Sequence, residues 1–139
     1  MKIPSFLNPA EHIPNREFAG RLGLGVLVLT VVTSLIHCWM NSFGLLMTIK
    51  MNAIHLGTMM AITFLYYPAR SKSPREVPSW VDWVLVVLAL SGSLYILLGY
   101  NRLLASHLNP LPLDLAMAVM TMALLVEASR RAVGLPLTI

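Results

Sequence analysis

Leu115-Ala-Met-Ala-Val-Met-Thr-Met-Ala-Leu-Leu-Val-Glu127-Ala-Ser-Arg130-Arg131 is the stretch on which the fold turns. Residues 115–126 carry no charge, and the run then closes on a carboxylate and two guanidiniums. Ionisable groups in a membrane helix are costly and normally face protein, water or a head-group boundary. The charges at the end of this run therefore either mark a functional pathway or pin the end of a membrane helix.

The same pattern recurs upstream. No charged residue lies between Arg21 and Lys50, and the uncharged gaps 51–69 and 83–101 are 19 residues each. A helix of about 20 residues crosses the roughly 30 Å hydrocarbon layer. The spacing predicts an all-α integral membrane protein. Four transmembrane helices are expected over about 22–40, 51–67, 82–100 and 113–133, in one domain spanning 1–139. Composition agrees. The chain is 57% hydrophobic and 12% charged, with a mean hydropathy of +0.73, whereas soluble domains carry about 25% charged residues.

Proline and glycine punctuate the pattern. Pro68 ends the second span, and 70–78 is a polar loop broken by Pro74 and Pro78. Pro110 and Pro112 precede the fourth span, as suits a helix start, and Gly134 with Pro136 makes a stop. Residues 1–20, with Pro4, Pro9 and Pro14, are expected to form a short interfacial arm. The polar lead up to Arg21 and the absence of a small-x-small site argue against a cleaved signal, so the first span should remain as an anchor. Cys38 is the only cysteine, which excludes an intrachain disulfide. The bulky His37 before it argues against lipidation there.

With four crossings, both termini and the middle loop share one side. That side holds Lys2, Arg16, Arg21, Arg70, Lys72, Arg75, Arg130 and Arg131; the other holds Lys50 and Arg102. Eight against two places both termini in the cytoplasm by the positive-inside rule. The net charge of +4 is spread through the gaps between apolar stretches. No basic face with interleaved aromatics emerges, so no nucleic-acid partner is expected; the lipid bilayer is.

Glu127 can be a proton or ion relay, or one half of a helix-end ion pair. Arg130 and Arg131 lie three and four residues on, which is the same helix face, at the helix end whose dipole favours cations. Asp114 is thirteen residues away, roughly 20 Å along a helix, too far for a carboxylate dyad. It is expected to cap the fourth helix. Ser79-Trp80-Val81-Asp82 has the form of a capping box, and Trp80 and Trp83 fit an interfacial aromatic belt. His37 and His55 fall at similar depth on neighbouring helices and could hold a haem from both sides. Gly57 with Ala61, and Ala89 with Ser93, are small-residue pairs that allow close helix approach. The nine methionines read as lipid-facing or core filler rather than as a copper site.

No Gly-rich phosphate loop, zinc-type Cys/His spacing or serine nucleophile elbow occurs. No span is broken at mid-membrane, as transporter substrate sites often require, and no acidic residue falls at the expected midplane. The chain therefore reads as a non-catalytic membrane scaffold. Two other classes stay open: a small b-type cytochrome with His37 and His55 as ligands, and a self-sufficient small transporter.

Asn52-Ala-Ile-His55-Leu-Gly-Thr, Phe64-Leu-Tyr-Tyr-Pro68, Asp82-Trp83, Asp114 and Leu125-Val-Glu127-Ala-Ser-Arg130-Arg131-Ala-Val-Gly134 together resemble the small membrane region of tripartite ATP-independent periplasmic (TRAP) transporters, nearest to their TAXI branch. The resemblance covers roughly 50–137; His55 and Pro68 belong to its signature. It implies a small subunit in the bacterial inner membrane that braces a large transport subunit and helps receive a periplasmic substrate-binding protein. Uptake of organic acids is then driven by an ion gradient, usually sodium, with the sodium and substrate sites on the large subunit and no cofactor on this chain. In the TAXI branch this region is usually fused to the large subunit. The resemblance makes Glu127, Arg130 and Arg131 a partner contact as well as an ion pair. Lys50 and Arg102, in the loops facing the periplasm, become candidate contacts for the binding protein.

Overall fold

The computed structural model describes residues 16–18, 20–44, 48–69, 76–105 and 109–133. These form four helices: α1 (Gly20–Phe43), α2 (Thr48–Tyr66), α3 (Trp80–Ala105) and α4 (Pro112–Val133). Local chemistry sets several of the ends. The Gly44 N–H reaches back to the Met40 carbonyl at 3.1 Å, with Gly44 at φ 56°. That left-handed stop is the conformation glycine adopts freely. α2 ends two residues before Pro68, and α4 starts on Pro112, where the missing N–H costs nothing. At the start of α3, the Ser79 N–H donates to Asp82 Oδ2 at 2.9 Å, while the Asp82 N–H approaches Ser79 Oγ at 3.4 Å. This is the reciprocal geometry of a capping box.

The helices alternate in direction. The end of α2 meets the starts of α3 and of the α1 segment and the end of α4, as the contacts of Arg16, Asp82 and Arg131 show. At the other end, His37 of α1 touches His55 of α2, and Arg102 of α3 pairs with Asp114 of α4.

α1, α3 and α4 are long and apolar enough to cross a membrane; α2 falls short. Lys50, Asn52 and His55 lower the apolarity of its first half. α2 is also the helix most enclosed by protein. It buries Ala53, Gly57, Met60, Ala61, Phe64 and Leu65 and packs against each of the other three. α1 shows the opposite balance. Among the described residues it packs on α2 alone, and it buries only Val26, Thr33 and Met40, which recur every seven residues along one face. Its other faces are apolar and exposed, a surface suited to lipid or a protein partner.

The core lies between α2, α3 and α4. Met60, Ala61, Phe64 and Leu65 meet Val86, Ala89, Leu124 and Ala128. α2 and α3 approach most closely at the two small-residue pairs. A Cβ at Gly57 would overlap the Ser93 side chain and come within 3.4 Å of the Ala89 carbonyl. Ser93 Oγ uses that proximity to donate to the Ala53 carbonyl at 2.6 Å, a polar tie between helices of the kind that supports membrane packing.

Candidate functional site: a buried chain of charges

The last carbonyls of any helix lack intrahelical partners, and the helix dipole makes that end negative. The end of α2 meets both needs with three arginines from distant parts of the chain. Arg16 Nη1 donates to the carbonyls of Phe64 at 3.2 Å and Leu65 at 2.7 Å. Arg131 Nη1 donates to the Tyr67 carbonyl at 3.3 Å, and Arg130 Nη2 to that of Ala69 at 3.3 Å. The Arg16 backbone N–H adds a bond to the Tyr66 carbonyl at 2.9 Å. Phe18 seats its ring edge-on against Tyr66, with centroids 5.6 Å apart.

Two carboxylates thread these guanidiniums together. Asp82 Oδ2 accepts from Arg16 Nη2, and Asp82 Oδ1 accepts from Arg131 Nη1 at 2.7 Å. Glu127 Oε1 accepts from Arg131 Nε at 2.7 Å and from Arg130 Nη2 at 2.8 Å; its Oε2 accepts from Arg130 Nε at 2.7 Å. The order is Arg16, Asp82, Arg131, Glu127, Arg130. The first three side chains are 0–2% exposed, and the last two are about 30% exposed. Arg131 also lies over the Phe64 ring, 5.1 Å from its centroid, a cation–π placement. Among the described residues the cluster joins three guanidiniums to two carboxylates, and it sits on the negative end of α2.

The helix-end pair foreseen from the spacing of Glu127, Arg130 and Arg131 is present, but Arg131 belongs equally to Asp82. The capping box at Asp82 is present too, yet that carboxylate carries two guanidiniums besides. Arg16 was missed as a site residue. Its only sequence signal is an isolated arginine between Pro14 and the first apolar stretch. The rest of the arm, 1–15, and the Gly134–Pro136 stop lie outside the described residues.

The opposite end holds a smaller cluster. Arg102 grips Asp114 with two bonds, Nη1 to Oδ2 at 3.0 Å and Nη2 to Oδ1 at 2.6 Å. Tyr95 Oη donates to Asp114 Oδ1 and accepts from Arg102 Nη2 at 2.7 Å. Asp114 Oδ2 also accepts from the Leu111 N–H at 2.8 Å, which caps α4. Lys50 Nζ stands 4.8 Å from the Tyr100 ring centroid. Both cations proposed to face a partner are thus already engaged within the chain. Arg102 still exposes 40% of its side chain.

His37 and His55 sit edge to face, ring centroids 4.7 Å apart. Ligands on opposite faces of a haem, each nitrogen about 2 Å from iron, need centroids about 6 Å apart with the porphyrin between. The two rings touch, so no macrocycle passes between them. His107 lies outside the described residues. Among the described residues, no cluster of three or more His, Cys, Asp and Glu is placed to hold a metal.

The carboxylates within the helices, Asp82, Asp114 and Glu127, all lie near helix ends, and each is held by at least one arginine. Such an arrangement ties helices together; it presents no bare mid-helix carboxylate for an ion or proton. Compared with protein-family models, curated proteins and solved structures, the chain has no match.

Proposed function

We propose that this chain is the non-catalytic small membrane subunit of a TRAP-type secondary transporter of the TAXI branch. In this role it sits in the bacterial inner membrane with both termini cytoplasmic. It braces a large transport subunit and helps receive a periplasmic substrate-binding protein during ion-coupled symport of organic acids. Sodium and substrate are handled by the large subunit.

One observation supports this above the others. The residues that carry the resemblance, Asp82, Glu127, Arg130 and Arg131, converge with the Phe64–Pro68 turn into one connected ionic tie. A tie that fixes three helices at one end is what a static brace requires. A self-sufficient transporter would instead need a site open to its cargo along the pathway.

Co-purification tests the proposal. Tagged protein taken from its native membrane in mild detergent should carry a large multi-helix partner, and deleting the chain should abolish uptake and lower that partner's abundance. Uptake by this chain alone in liposomes would instead establish the self-sufficient class.

A further inference from the structure

A cavity of about 240 Å³ lies where α1 and α2 come together, lined by His37, Met40, Asn41, Met51, Asn52 and His55. His37 Nδ1 lies 2.7 Å from the Thr33 carbonyl oxygen. A carbonyl can only accept, so Nδ1 carries a proton, and the tautomer that this bond selects has its lone pair on Nε2. That Nε2 is sealed from solvent and has no hydrogen-bond partner. Buried acceptors left unmatched are rare and call for an explanation. A backbone carbonyl on the far ring nitrogen is also how metal-ligating histidines are oriented.

The ring spacing fits the same chemistry. Two imidazoles on one tetrahedral ion, with nitrogens about 2 Å from the metal, have centroids about 5 Å apart. The observed 4.7 Å is close to that, though too short for a haem. Met40 is buried and Met51 half-buried, and both line the same cavity as the two histidines. The exposed His55 provides an entry side.

We propose that His37 and His55, with the thioethers of Met40 and Met51, form a copper(I) site at this end of the bundle. Thioether and imidazole donors together select a soft ion. All four donors are neutral, so a divalent ion would bring two uncompensated charges into a poorly solvated setting, and a monovalent one brings half as many. The site is independent of the transport role proposed above.

The test uses the full chain in detergent with Cys38→Ser, which removes the one thiol. Copper(I) is supplied without oxygen in competition with bicinchoninate. One equivalent should be withdrawn from the chelator. His55→Ala, at an exposed position, should weaken binding by about a hundredfold, the upper end of what even outer-shell changes cost. Met51→Leu, close in volume, should weaken it measurably with helicity unchanged. X-ray absorption of the loaded protein should show nitrogen and sulfur neighbours. Failure to compete with the chelator overturns the proposal. So does binding that is unchanged in both variants, or a shell without sulfur.

Discussion

Asp82→Asn removes one negative charge and almost no volume. The amide can still accept from the Ser79 N–H, so the cap on α3 is largely kept. What changes is the balance around it. Arg16 and Arg131, with side chains 0% and 2% exposed, lose their shared counter-charge. Breaking a buried pair by deleting one partner typically costs about 3–5 kcal/mol, because a desolvated charge is left behind. That is about two to three and a half orders of magnitude in the folding equilibrium. Arg131→Met is the informative comparison. It removes the middle of the chain of charges and leaves two balanced pairs, Arg16 with Asp82 and Arg130 with Glu127. It loses bonds to Tyr67, Asp82 and Glu127 and the contact with Phe64, but strands no charge. Its cost should be about 2 kcal/mol or less. Arg130→Ala, at a half-exposed pair, should cost about 1 kcal/mol or less and fade further in salt. Reversible unfolding in mixed micelles, followed by the fluorescence of Trp80 and Trp83 beside Asp82, measures all three. If Arg131→Met proves as damaging as Asp82→Asn, uncompensated charge is not what governs this cluster and the account is wrong.

Three further outcomes follow from other parts of the molecule. Gly57→Val drives a side chain into Ser93 and should cost about 1–3 kcal/mol by overpacking; Gly25→Ala, where nothing lies within 4 Å, should be neutral or stabilising by up to about 1 kcal/mol. A thermal melt in which both behave alike would rule out the α2–α3 contact as described. Asp114→Asn releases Arg102 and Tyr95, so hydrogen exchange should quicken at the end of α3 and the start of α4 while the Asp82 end stays protected; uniform exchange along the bundle would contradict two separate clusters. Alkaline phosphatase fused after the C-terminus should be inactive, and fused near residue 107 it should be active. The reverse pattern would invert the topology derived from the charge count.

The helices were legible in the sequence because charge is so costly in lipid that its absence over 19 residues is a strong signal. The Glu127 pairing was legible because three- and four-residue spacing is local geometry. Asp82 was read only in part: its capping box explains the carboxylate locally, and nothing in a linear pattern announces a second role filled from 49 and 66 residues away. The central place of α2 was not legible either. It packs on each of the other three helices although its first half carries Lys50, Asn52 and His55, of which Asn52 and His55 are exposed. Such enclosure is a property of packing rather than of composition. The methionines illustrate the same limit. Scattered along the chain they read as filler, yet the packing of α1 beside α2 sets Met40 and Met51 on one cavity with the two histidines.

Why place so many charges where three helices already meet through apolar side chains? In lipid, helix faces gain little from burying apolar surface against one another, because the tails are equally apolar. Leu124, Ala128 and Val86 could therefore slide past their partners at modest cost. Buried ion pairs add little net stability over an apolar replacement, but a mispaired one is severely penalised. Asp82 with two arginines, one arriving on α4 and one from before α1, admits a single register for both. Arg16 matters most in this respect, because among the described residues α1 packs on no helix but α2 and buries only Val26, Thr33 and Met40. The cluster is best understood as a device for fixing the positions of α1 and α4 against the α2–α3 pair. On that basis Arg16→Met should leave α2–α4 intact while loosening α1, seen as faster exchange confined to residues 20–43.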